Sequence, residues 1–113
     1  MPEIDSELEL ALNYLDHNKD ESLKRLFDIL KIPSISTQEK YSKDCLNAAN
    51  WFVEQLQDIG FDASIRETNG HPMVVAHFEQ EGPHFLFYGH YDVQPIDPIA
   101  VSYTHLRAHE TIA

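Results

Sequence analysis

An unbroken apolar run, Phe85-Leu86-Phe87-Tyr88, passes directly into Gly89-His90-Tyr91-Asp92-Val93-Gln94-Pro95. A short apolar stretch bounded by turn residues reads as a buried strand, which predicts a strand from His84 to Tyr88. In an extended segment residues i and i+2 point the same way. His90 and Asp92 therefore share one side and Tyr91 takes the other. Pro95 and Pro98 end the strand and stiffen the loop that leaves it. Ligands of open α/β sheets bind outside the carboxyl ends of strands, and His90 stands at such an end.

The residues before this run change period once. Leu8, Ala11, Leu12 and Leu15 recur at helical spacing, as do Leu23, Leu26, Phe27 and Leu30. The polar stretch Asp16-His17-Asn18-Lys19-Asp20 separates them as an acidic linker, and Pro33 stops the second helix. Cys45, Ala49, Phe52, Val53, Leu56 and Ile59 mark a third helix with one apolar face. Ser42 or Thr37 is expected to cap its start, and Gly60 to end it in a left-handed conformation. From Phe61 the period is two: Phe61, Ala63 and Ile65 alternate with Asp62, Ser64 and Arg66. Asn69-Gly70 signals a turn, and Met73 to Phe78 a second strand. The order of helices followed by strands predicts an α/β fold with helices packed on a mixed sheet. The near-continuous third strand calls for cover on both faces.

Composition narrows the partners. The 113 residues hold one domain at most, and 42% hydrophobic content supports a packed core. A formal net charge of −11 disfavours nucleic acid and anionic membrane surfaces. Cys45, the single cysteine, excludes a disulfide framework within the chain and is expected to be a small core residue. The acidic start lacks the basic and apolar parts of a secretory signal, and no apolar stretch has transmembrane length; a cytoplasmic location is expected.

Residues 101–113 stand apart. His105 and His109, four residues apart with Glu110 alongside, invite a zinc reading. The eleven residues Val101 to Thr111, however, resemble one translated frame of a transposase-based sequencing-library adapter. Non-native tails are set aside in fold reasoning. The expected division is a native part, residues 1–100, and an adapter-derived tail, residues 101–113.

The segment Tyr88-Gly89-His90-Tyr91-Asp92-Val93-Gln94-Pro95 resembles the metal-binding motif of a large dinuclear-zinc metallopeptidase family. That family includes carnosine-type dipeptidases, carboxypeptidase G, aminoacylases and acetylornithine deacetylase. Ile32-Pro33-Ser34-Ile35-Ser36 resembles the loop after the family's first helical segment. Gly60-Phe61 and Gly70-His71-Pro72-Met73-Val74 fit its dipeptidase-like branch. The resemblance implies that residues 1–100 are the N-terminal part of a truncated zinc-peptidase catalytic domain. It implies that His90 is a ligand to one of two zinc ions and that Asp92 is the catalytic-site carboxylate orienting it. The remaining ligands, a bridging aspartate and a general-base glutamate are implied to lie downstream. A zinc-bridged hydroxide would then attack the amide of a small peptide substrate, in a protein that is a homodimer when whole.

An amidase or deacylase of N-acyl amino acids is the alternative within the family. A non-catalytic α/β module, in which His90 and Asp92 merely hydrogen-bond, is the alternative outside it. His71, beside a turn, and His77, within a strand, are expected to be structural or solvent-facing. His84 is expected to start the third strand, and Trp51 to be partly buried against a neighbour. A sheet edge without its neighbours predicts poor solubility or a molten state.

Overall fold

The computed structural model describes residues 2–96. Two units are distinguished, divided after Ile32.

The first unit is a pair of helices. Helix α1 spans Pro2–His17 and α2 spans Lys19–Leu30. The expected acidic linker shrinks to Asn18 alone. Its side-chain amide donates to the Tyr14 carbonyl at 2.8 Å, and the His17 Nδ1–H donates to the Asn13 carbonyl at 2.7 Å. Side chains that bond back one turn satisfy carbonyls at a helix end. That is why the polar stretch breaks the helix for only one residue. Asp20 and Glu21 lie in the first turn of α2, where negative charge suits the helix dipole. Leu8, Leu12, Leu15, Leu26, Phe27 and Leu30 are all exposed.

The second unit carries the core. After a 3-10 turn at Glu39–Tyr41, helix α3 runs over Ser42–Asp58. Neither expected cap is used: Tyr41 is the N-cap residue and makes no side-chain capping bond. The 3-10 turn leads directly into the helix, so Ser42 already lies inside it. The other end follows expectation. Gly60 has φ +101°, its amide donates to the Gln57 carbonyl at 3.0 Å, and the Phe61 amide donates to the Leu56 carbonyl at 2.9 Å. These are the two bonds of a Schellman motif, which requires the left-handed conformation glycine adopts without strain.

The chain turns there into strand β1, Asp62–Arg66, which pairs antiparallel with β2, Met73–His77. Ile65 faces Val74 and Ala63 faces Ala76 in the register. The connection is a six-residue loop, residues 67–72, with a bend over Asn69-Gly70. Within it Thr68 Oγ1 accepts from the Gly70 amide at 3.0 Å and donates to the His71 carbonyl at 2.7 Å. Helix α3 packs on this ribbon through small residues: Cys45, Ala48, Ala49 and Ala63 are the buried apolar positions. Cys45 is thus the core residue its setting suggested. Trp51 is half-buried, edge-on to Phe52 with ring centroids 5.0 Å apart.

The third strand does not form among the described residues. His84 to Tyr88 has no strand assignment and no ladder partner, and His84 instead lies with its ring 6.0 Å from that of His77. Leu86 is 95% exposed, and Phe85, Phe87 and Tyr88 are nearly as open. A strand is a pairing rather than a property of one segment: without a neighbour its amides bond water and its side chains have no face to cover. The architecture is therefore a small mixed α/β arrangement with a two-stranded sheet. An exposed apolar run of this kind is an aggregation liability. Leu86→Lys combined with Phe87→Lys should raise soluble yield and lower light scattering, while leaving the urea midpoint followed by Trp51 fluorescence unchanged. Unaltered scattering would show that the liability lies elsewhere.

Candidate functional site

Two segments more than fifty residues apart in sequence build the site. Ser34-Ile35-Ser36 leads into a turn, in which the Gln38 amide donates to the Ile35 carbonyl at 3.4 Å, and Ile35 forms a parallel bridge with Val93. The Val93 amide donates to the Ser34 carbonyl at 2.9 Å. Ser34 and Ser36 both reach across to the 91–92 segment. The Ser34 hydroxyl, in a residue only 2% exposed, donates to the Tyr91 carbonyl at 2.8 Å. The Ser36 hydroxyl donates to Asp92 Oδ2 at 2.6 Å.

The β1–β2 loop closes a third side. His71 Nε2 faces the Ser36 carbonyl at 2.8 Å, and a carbonyl only accepts, so Nε2 carries the proton. The Tyr91 hydroxyl donates to the Pro72 carbonyl. The Tyr91 ring lies 6.5 Å from that of Phe52 on α3. Burial, then the neighbouring Cys45 and Asp92, push the Tyr91 phenol above its ordinary pKa, so it remains a donor at neutral pH. Tyr91 thus anchors this segment from inside, while His90 beside it is exposed.

His90 and Asp92 are brought together. His90 Nδ1 lies 2.8 Å from Asp92 Oδ1 and 3.1 Å from the Asp92 carbonyl. Both are acceptors, so Nδ1 bears the proton, and neutral His90 keeps its lone pair on Nε2. The Ser36 hydroxyl, and secondarily the His90 bond, hold the Asp92 carboxyl below its ordinary value of 3.8. A carboxylate bonded to the distal nitrogen of an imidazole is the usual support of a metal-bound histidine. In that respect His90 and Asp92 fit one place in a zinc site. Among the described residues no three His, Cys, Asp or Glu side chains cluster as a ligand set. His105, His109 and Glu110 lie outside the described residues.

Ser34, Ser36 and the loop residues His71 and Pro72 were not singled out as part of the site by the sequence. One signal was present: two serines stand close together in the loop that follows α2. What it lacked was any indication of which distant segment they meet.

Comparison with known proteins yields a distant relative. The chain is 28% identical over 103 residues to the Cys-Gly metallodipeptidase DUG1 of Candida albicans, covering 78% of this chain and 21% of that protein. The chain thus spans about a fifth of the length of the relative it matches. No family model matches, and no solved structure matches. Among the described residues no helix is long and apolar enough to cross a membrane.

Two measurements check the site. Ser34→Ala removes a buried donor and strands the Tyr91 carbonyl, which should cost about 1–3 kcal/mol in urea unfolding; a change within error would mean that water replaces the hydroxyl. Asp92 has a depressed folded-state pKa, so its contribution to stability is present above its ordinary value and lost as pH falls through the folded value. The difference in urea midpoint between the unmodified chain and Asp92→Asn should therefore be larger at pH 6 than well below pH 3.8. An identical difference at both pH values would remove Asp92 from the network.

Proposed function

We propose that residues 1–100 belong to the metal-binding domain of a zinc-dependent peptidase that hydrolyses dipeptides or releases C-terminal amino acids, and that residues 101–113 are an adapter-derived tail. The supporting observation is the His90–Asp92 pair, with Nδ1–H committed to the carboxylate and Nε2 left to donate its lone pair. Similarity to a metallodipeptidase gives that pair its chemical context.

In this proposal His90 holds one of two zinc ions through Nε2, and Asp92 fixes the ring and its tautomer. Zinc, when bound, lowers the pKa of coordinated water and polarises a scissile carbonyl. The part played by the chain's own residues is orientation. Asp92 orients the imidazole through the shared proton, and Tyr91 and Ser34 hold the backbone that carries both. The other ligands and the general base are assigned to polypeptide outside residues 1–100. The substrate is a small peptide, the whole protein a homodimer, and its location cytoplasmic.

A single imidazole cannot make a zinc site, which needs three or four protein ligands. In the 113-residue chain, zinc should shift the His90 side-chain nitrogen signals only at roughly millimolar concentration, equivalent to about −4 kcal/mol. Complete zinc sites reach about 10–16 kcal/mol. His90→Ala should abolish the response, and tight stoichiometric binding at His90, read from its own nitrogen signals, would refute the proposal. In a longer polypeptide carrying this segment, His90→Ala should lower dipeptide hydrolysis by more than the roughly 10–100-fold that outer-shell partners contribute. Turnover of N-acyl amino acids but not dipeptides would move the assignment to the deacylases.

A further inference from the structure

We infer that Ser36 is a positioning residue for this site: its hydroxyl locks the Asp92 carboxylate, which in turn holds His90 as the Nδ1–H tautomer with Nε2 free for a divalent cation. The inference rests on the proposed metal role of His90 and assigns a new residue to it.

The His90 side chain is 75% exposed. Packing therefore does little to fix the ring, and its orientation depends on the bond to Asp92. The Asp92 side chain is itself 40% exposed. Rotation about the terminal carboxylate bond is soft, because the sp³–sp² torsion has broad wells. A carboxylate bonded only to the imidazole would exchange that partner readily for water. Ser36 removes this freedom. It takes Oδ2 at 2.6 Å while Oδ1 faces the imidazole at 2.8 Å, so the carboxylate plane is set by two donors from different segments. Hydroxyl-to-carboxylate bonds of this length are charge-assisted and strong.

Ser36 can act as a clamp because its own backbone is held. The preceding residue, Ile35, is bridged to Val93, and the His71 Nε2–H donates to the Ser36 carbonyl at 2.8 Å. The order runs from a fixed loop, to a carboxylate, to an exposed imidazole. Sites hold their geometry when the supporting groups are themselves locked. The Ser34 hydroxyl, two residues earlier, bonds the Tyr91 backbone and supports the fold at that point. Ser36 bonds the functional side chain, which separates the roles of the two serines.

The test is the tautomer of His90, read from its ring nitrogen shifts in the ¹⁵N-histidine-labelled 113-residue chain at pH 8, where an ordinary imidazole is neutral. The unmodified chain should show mainly Nδ1–H. Ser36→Ala should lower the ratio of Nδ1–H to Nε2–H by about tenfold, equal to about 1.4 kcal/mol. Ser36→Thr, which keeps the hydroxyl, should restore it. Ser36→Cys, similar in size with a weak donor, should fall between and serves if the alanine variant does not fold. Trp51 fluorescence and the Ser64–Val75 pairing report folding in each case. A dominant Nε2–H form in the unmodified chain overturns the inference, as does a ratio indifferent to Ser36→Ala and Ser36→Cys. Zinc titration of the same samples separates the two levels. If zinc perturbs His90 but Ser36 variants leave the tautomer alone, only the clamp fails. If Ser36 variants shift the tautomer but zinc never perturbs His90, the metal role fails and the clamp stands.

Discussion

The parallel contact between residues 34–36 and 91–93 is the constraint on which the site depends. It is short: one bridge, one backbone hydrogen bond and two serine hydroxyls. Yet it decides where His90 stands, because Gly89 and the residues before it pack against little. Its bonds differ in kind. The Ser34 pair and the Val93 amide satisfy backbone groups, and a backbone group left unpaired in a buried setting is costly. The Ser36 bond reaches a side chain instead. Scaffold and chemistry are thus joined within three consecutive residues.

The helix–ribbon core explains how so small a contact is held in place. Helix α3 meets the β1–β2 ribbon through Cys45, Ala48, Ala49 and Ala63, side chains small enough to let the helix approach closely. From the same helix Phe52 reaches the Tyr91 ring, and from the ribbon's connecting loop Pro72 and His71 reach Tyr91 and Ser36. The helix contributes one aromatic contact to the site and the loop two hydrogen bonds.

Local features were legible in the sequence and pairings were not. The Schellman ending at Gly60 follows from a glycine placed just after an apolar stripe, the β1 span follows from the alternation at Phe61–Arg66, and β2 falls within the strand read at Met73–Phe78. Those signals lie within a few residues of what they determine. The cap of α3 was misread because serine and threonine near a helix start are often caps, while here a 3-10 turn took that place. The run Phe85–Tyr88 was misread for a deeper reason: apolar composition states that a segment wants cover, not that a partner adjoins it. At the site, the i, i+2 spacing put His90 and Asp92 together correctly, since a two-residue relation is local. Ser36 and His71 were invisible as site residues because their partners lie 56 and 35 residues away.

Such separation has a kinetic meaning. Ser34 and Tyr91 are 57 residues apart, and closing a flexible loop of that size costs roughly 3–4 kcal/mol by the logarithmic rule, before any constant. The ribbon β1–β2 and the helix before it close far shorter loops. Loop closure by itself therefore favours the order helix, then ribbon, then the imidazole-bearing segment. Contacts made last are also those that open first by sub-global unfolding. The Val93 amide, bonded to Ser34 across that long span, should consequently exchange its hydrogen with solvent well before the amides that pair β1 with β2.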